Sequence, residues 1–255
     1  MTVLLSVRDV TVRFRGIVAL DKVTFDVERG QIAGLIGPNG AGKTTLFNCL
    51  SRLYEYSEGS IVFDGQPIET LPRHEMARLG IGRTFQNLAL YKTMSVLDNI
   101  KVGYHCRASK GFLAHALRLP GVATEEADIA VRAQRLVEFL DLQAVAHLRV
   151  SDLPFGTQKR VELGRALASQ PQLLLLDEPA AGLNHEELHA LGDLIRRIRD
   201  EFHITVLLVE HHMSLVMGVS DKVVALNFGR KIADDTPQRV REDPEVIQAY
   251  LGGPA

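Results

Sequence analysis

The sequence predicts an α/β fold: a largely parallel sheet, joined by an antiparallel β part and interrupted by a helical insertion. Three observations predict it. Ile32 to Ile36, Leu173 to Leu176 and Val206 to Val209 are continuous apolar runs, which suit parallel strands covered on both faces. Nearer the amino terminus, Val10, Val12 and Phe14 alternate with Thr11, Arg13 and Arg15, and Val23, Phe25 and Val27 alternate with Thr24, Asp26 and Glu28. That is the period of half-buried antiparallel strands. In the middle of the chain, Ile129, Ala133, Leu136, Val137 and Leu140 recur at helical spacing. The expected organisation is one domain over 1–255, with a core from 1–87 and 169–255 and a helical subdomain at 88–168.

Composition narrows the function classes. The 255 residues can bury a sizeable core without disulfide or metal. Lys+Arg of 29 against Asp+Glu of 31 gives a formal net charge of -2, which argues against a nucleic-acid partner. Cys49 and Cys106 show no pairing or ligand spacing and read as packing residues in a reducing compartment. The first ten residues lack the charged and apolar blocks of a leader, and no apolar run approaches the roughly 20 residues of a membrane span. Any membrane role is expected to be peripheral.

Along the chain the two alternating strands come first. The apolar run ending at Ile36 then feeds into Gly37, Pro38, Asn39, Gly40, Ala41, Gly42, Lys43, Thr44 and Thr45, followed by a helix-like stretch. Three glycines let the backbone wrap so that N–H groups point inward at phosphate oxygens, and the helix N-terminus adds partial positive charge. Lys43 is placed to reach the β- and γ-phosphates of a nucleotide and the Thr44 hydroxyl to ligate Mg²⁺. This spacing arises by accident in about one chain of such length in a hundred, so a plain glycine turn is the minor alternative.

Ile61-Val62-Phe63 before Asp64-Gly65 reads as a further strand entering a tight turn. Later, Leu173 to Pro179 reads LLLLDEP, a buried strand that delivers two carboxylates to the sheet's carboxyl edge, where ligands of parallel sheets sit. Asp177 is expected to hold Mg²⁺ and Glu178 to polarise a water attacking the γ-phosphate. A strand followed by Asp-Glu usually marks a solvated loop start, but the upstream glycine loop reverses that weighting. His185 to His189 reads HEELH, a zinc-peptidase pattern. Leu188, Leu191, Leu194, Ile195 and Ile198 form that helix's apolar stripe and leave both histidines on another face, so zinc is not expected.

This arrangement resembles the ATP-binding subunits of ABC transporters over essentially the whole chain. The resemblance implies a P-loop NTPase (RecA-like) core with antiparallel β and helical subdomains, and ATP and Mg²⁺ as cofactors. Gln86, in RTFQ, matches the glutamine that touches Mg²⁺ and the attacking water and borders the transmembrane partner. His211, ending TVLLVEH, matches the histidine that contacts γ-phosphate, although a strand end also suits a satisfied buried histidine. Phe14 matches the aromatic that stacks on adenine, with a core phenylalanine as the competing reading. LPFGTQKR, Leu153 to Arg160, matches the LSGGQ loop, so Phe155, Gly156, Thr157 and Gln158 are implied to complete the site of a second subunit in trans. Two residues depart from the pattern. Pro154 replaces the serine whose hydroxyl bonds γ-phosphate, and Asn184, in AGLN, stands where many members carry aspartate. Asn184 and Glu187 also have capping-box spacing.

With one glycine loop per chain, the resemblance implies a partner cassette, identical or homologous. A single cassette with a short tail looks like the ATP-binding subunit of a bacterial importer. RTFQNLALYKTMSVLDNI, GFLAHALRLP, EPAAGLN, VEHHMSLVMGVSD and AYLG together look like the branched-chain or hydrophobic amino-acid uptake group. Implied partners are integral membrane permease subunits and, indirectly, a periplasmic or lipid-anchored solute-binding protein, with the chain on the cytoplasmic face of the inner membrane. Leu88 to Met94 and Lys101 to Val122 mix apolar and basic residues, as a surface docking on permease loops or as packing within the helical subdomain. A soluble ATPase without a permease is one alternative. A nucleotide-gated scaffold that does not hydrolyse ATP, prompted by Pro154 and Asn184, is the other.

Overall fold

The computed structural model describes residues 2–84, 88–107 and 122–251. In chain order the elements are β1 (Val3–Phe14), β2 (Ile17–Glu28), β3 (Ile32–Ile36), α1 (Lys43–Leu50), β4 (Glu58–Phe63), β5 (Gln66–Pro67), α2 (Met76–Leu79), β6 (Ile81–Arg83), α3 (Val96–Tyr104), α4 (Val122–Phe139), α5 (Phe155–Ala168), β7 (Leu173–Asp177), α6 (His185–Phe202), β8 (Thr205–Val209), α7 (Met213–Val219), β9 (Lys222–Asn227), β10 (Arg230–Asp235), α8 (Pro237–Glu242) and α9 (Pro244–Leu251). They divide into two compact units, residues 1–76 with 172–255 and residues 77–171.

In the first unit, β3 runs parallel to both β8 and β9, β7 runs parallel to β8, and β10 closes the edge antiparallel to β9. Every residue of β3, β7 and β8 is buried, as continuous apolar runs require of strands with both faces covered. Leu35, Val209 and Asp177 fall in one row across the sheet. The loops that follow β3, β7 and β8 therefore leave the same carboxyl edge side by side. The second sheet runs β2-β1-β4-β5 and is antiparallel throughout. In β2, Val23, Phe25 and Val27 are buried and the residues between them are not, matching the alternation.

β1 does not keep its alternation. Its pairing with β2 shifts register around Val10, Val12 and Arg13, so Thr11 and Val12 are both buried. A bulge of this kind swaps the faces beyond it. Phe14 ends 42 % exposed, which removes the core-phenylalanine reading.

The second unit is built on α3, α4 and α5. Ala133, Leu136, Val137 and Leu140 are buried, as their spacing predicts, with Ile129 half-buried. Buried Asn99 in α3 clamps the preceding segment: its amide donates to the carbonyls of Tyr91 at 3.0 Å and Ser95 at 2.9 Å, and its Oδ1 accepts the Tyr91 N–H at 2.9 Å. Packing thus accounts for part of the 88–94 run, while the Tyr91 side chain is 53 % exposed. Residues 108–121, which hold all of GFLAHALRLP, lie outside the described residues. This unit begins earlier and ends later than 88–168. Arg78 donates to the Cys106 carbonyl and Arg107 to the Ser169 carbonyl, each at 3.0 Å, tying both flanks to α3 and α5.

Candidate active site

The loop after β3 is shaped by backbone that other residues do not fit. Gly37 has φ 148° and a Cβ there would sit 2.2 Å from the Leu226 carbonyl oxygen. Gly42, the N-cap of α1, has φ 101°, and its Cβ would meet the Ala19 carbonyl oxygen and Leu20 Cδ2 at 2.7 Å. α1 carries no side-chain cap and no acidic residue in its first turn. Its first N–H groups are consequently left for an anion.

Lys43 lies under that loop, only 8 % exposed, and its Nζ donates to the carbonyls of Gly37 at 2.7 Å and Pro38 at 3.1 Å. Burial holds its pKa below the usual lysine value, and the nearby Glu178 charge opposes that shift. Asn39, Gly40 and Thr44 are exposed, Pro38 and Thr45 are half-buried, and Ala41 is buried. Phe14 meets Tyr54 edge to face, with ring centroids 5.4 Å apart, and both rings remain open to solvent.

β7 ends in Asp177, buried to 4 % exposure, followed by Glu178. Glu178 adopts φ 48°, a left-handed conformation that costs a non-glycine residue on the order of 1 to 3 kcal/mol. Its N–H donates to the Val209 carbonyl at 2.9 Å, which carries the sheet ladder one residue past β7. After β8 comes Glu210, fully buried, whose Oε1 accepts the Ala180 N–H at 2.7 Å. Its Oε2 accepts the N–H groups of His211 at 2.9 Å and His212 at 3.2 Å and lies 3.0 Å from His212 Nδ1. The His211 ring is exposed and stands 4.3 Å from the His212 ring, so the buried-histidine reading does not apply.

In the second unit, Pro154 is the N-cap of α5 and offers no side-chain cap. Phe155 is 48 % exposed beneath Lys159 Nζ, while Gly156 and Thr157 are half-buried in the first turn. The Gln158 amide turns back to donate to the Leu153 carbonyl at 2.8 Å. Gln86 lies outside the described residues. The capping box forms as its spacing predicts, with Asn184 and Glu187 exchanging bonds of 3.0 and 2.9 Å. His185 and His189 are both exposed on α6.

The model of the family described as ABC transporter matches residues 20–181, a span that includes the glycine loop and the Asp177-Glu178 pair. The chain belongs to that family. It is a nucleotide-binding ATPase cassette, and a second family model, described as branched-chain amino acid ATP-binding cassette transporter, matches residues 230–255. The cassette is 43 % identical to the high-affinity branched-chain amino acid transport ATP-binding protein BraF of Pseudomonas aeruginosa, and 41 % identical to LivG of Escherichia coli K12, of the same description, with 98 % of each chain covered. Among solved structures, an ATP-binding cassette of an ABC transporter in its ADP conformation superposes with a TM-score of 0.84 at 29 % identity, covering 99 % of this cassette and all of that chain. No helix among the described residues is long and apolar enough to cross a membrane.

The donor set fits a magnesium nucleotide: an uncapped helix start, a buried lysine, an exposed Thr44 hydroxyl and the hard carboxylate of Asp177. Two residues of this edge escaped the sequence reading. Glu210 had a signal, an acid directly after a wholly buried strand. Tyr250 of α9 had none: its hydroxyl accepts the Gly37 N–H at 2.7 Å across 213 positions of sequence.

Proposed function

We propose that this cassette binds ATP at the 37–45 loop and hydrolyses it to power a bacterial importer, most directly one for branched-chain amino acids. The observation that carries the solute class is the match of residues 230–255 together with relatives named for branched-chain amino acid transport. Lys43, freed from its loop carbonyls, neutralises the β- and γ-phosphates, and the N–H groups of the loop and of α1 hold their oxygens. Thr44, Asp177 and Gln86 would hold Mg²⁺, which supplies further charge neutralisation at the phosphates. Glu178 orients and deprotonates the attacking water, His211 contacts the γ-phosphate, and Phe14 offers its open ring to adenine.

The resemblance also supports a second cassette, identical or homologous, as partner. Its Phe155, Gly156, Thr157 and Gln158 would close over the nucleotide, and permease subunits would hold the pair at the inner membrane's cytoplasmic face. Pro154 deletes one hydroxyl donor there but leaves the N-terminus of α5 open. The test is uptake in a strain lacking this gene. Restored leucine, isoleucine or valine uptake by the wild-type gene, but not by Lys43→Ala, is expected, together with ATP-dependent co-purification of integral membrane subunits. Unchanged branched-chain uptake on deletion would overturn the solute class, and phosphate release by the pure cassette separates an ATPase from a passive scaffold.

A further inference from the structure

Glu210 is a fully buried carboxylate with its hydrogen bonds directed into two different loops. Oε1 holds the Ala180 N–H, two residues beyond Glu178, and Oε2 holds the N–H groups of His211 and His212 and faces His212 Nδ1. The backbone N–H groups of Ala180, His211 and His212 are all donors, which a carboxylate accepting at both oxygens satisfies and an amide does not. We propose that Glu210 is a positioning residue for ATP hydrolysis, a rigid clasp that fixes the backbone carrying Glu178 relative to the backbone carrying His211.

The sheet register supports this clasp. Asp177 pairs with Val209, and the Glu178 N–H bonds the Val209 carbonyl, so the two chains are laced up to the point where Glu210 takes over. Beyond that last ladder bond, the Glu210 carboxylate joins the Ala180 N–H to those of His211 and His212. The left-handed backbone at Glu178 needs surrounding structure that holds it in place, and the bond to Ala180 lies within its own turn. The same three side chains offer the donor atoms of a metal site. Oε2 already serves two N–H groups and an imidazole, however, so its lone pairs are spent on the loop.

Replacing Glu210 by Gln keeps the shape and turns one acceptor into a donor that opposes an N–H. One loop is then released. The proposal rests on the roles given to Glu178 and His211 above, so the experiment is a double-mutant cycle on steady-state ATP hydrolysis by the purified chain: wild type, Glu210→Gln, His211→Ala and the double variant. A nucleotide-affinity measurement accompanies each. The expected result for Glu210→Gln is a kcat lowered by roughly 10- to 100-fold, as for misplaced catalytic groups, with the KM for ATP changed less than about threefold. In the His211→Ala background the same change is expected to cost clearly less than in wild type, because one of its two targets is already gone. A Glu210→Gln enzyme at wild-type rate, or effects that multiply fully in the double variant, would overturn the clasp. Loss of ATP affinity in step with kcat would also overturn it, by marking Glu210 as merely structural. A wild-type rate for His211→Ala alone refutes the phosphate contact itself and removes the premise without any Glu210 variant being needed.

Discussion

At the residue scale, the site is a contest between burial and charge. Lys43 is held below its ordinary pKa of 10.5 by burial, with Glu178 pulling the other way. A triphosphate beside it favours the ammonium, so nucleotide binding takes up protons in alkaline buffers below pH 10.5, and affinity falls as pH rises through that window. Calorimetry in buffers of different ionisation enthalpy reads this uptake, and Lys43→Arg is expected to abolish it. Glu178→Gln is expected to keep ATP binding while lowering turnover by roughly 10² to 10⁴, the range for a lost general base, and equal turnover would refute its role. The places of these residues were legible because they sit beside glycines or at strand ends, where local pattern fixes the backbone. Phe14 was only half legible: its alternation placed it in a core face, and bulges in the pairing with β2 turned it to solvent. The Cys49 thiol, wholly buried in α1, is pushed up to about 12 by desolvation, which agrees with its reading as a packing residue.

At the element scale, helix starts divide into closed and open ones. α6 closes its start with the Asn184–Glu187 box, and Asn184→Ala is expected to cost about 1 kcal/mol in a denaturant titration, with Asn184→Asp retaining most of it. A full-stability alanine variant would show the box to be idle. The starts of α1 and α5 carry no side-chain cap, but neither do those of α7 and α8, so an open start becomes an anion site only with the glycine loop that precedes α1. α9 reaches the glycine loop through Tyr250, a contact no local pattern could announce because its partner is set by the packing of the whole unit. Burial pushes that hydroxyl up to about 12, so it stays neutral in any ordinary buffer. Tyr250→Phe removes the acceptor for the Gly37 N–H and is expected to destabilise the loop by roughly 1 to 3 kcal/mol, read as earlier hydrogen exchange at residues 37–42. Exchange at the wild-type rate would show that the loop holds itself.

At the scale of the molecule, the parallel sheet gathers into one row what the sequence scatters. Leu35, Val209 and Asp177 are side by side, so the glycine loop, the two carboxylates and the histidine emerge along one edge although more than a hundred residues of sequence separate the loop from the other two. The apolar runs announced the strands, and the order of those strands came from pairing that no single run encodes. The central claim is that this edge binds a magnesium nucleotide. Titrating the purified chain with ATP and Mg²⁺ in a calorimeter tests it most directly. The account predicts saturable binding of one nucleotide per chain, lost in Lys43→Ala and kept in Glu178→Gln, whereas absence of binding heat at any nucleotide concentration, or binding that survives Lys43→Ala intact, would contradict it.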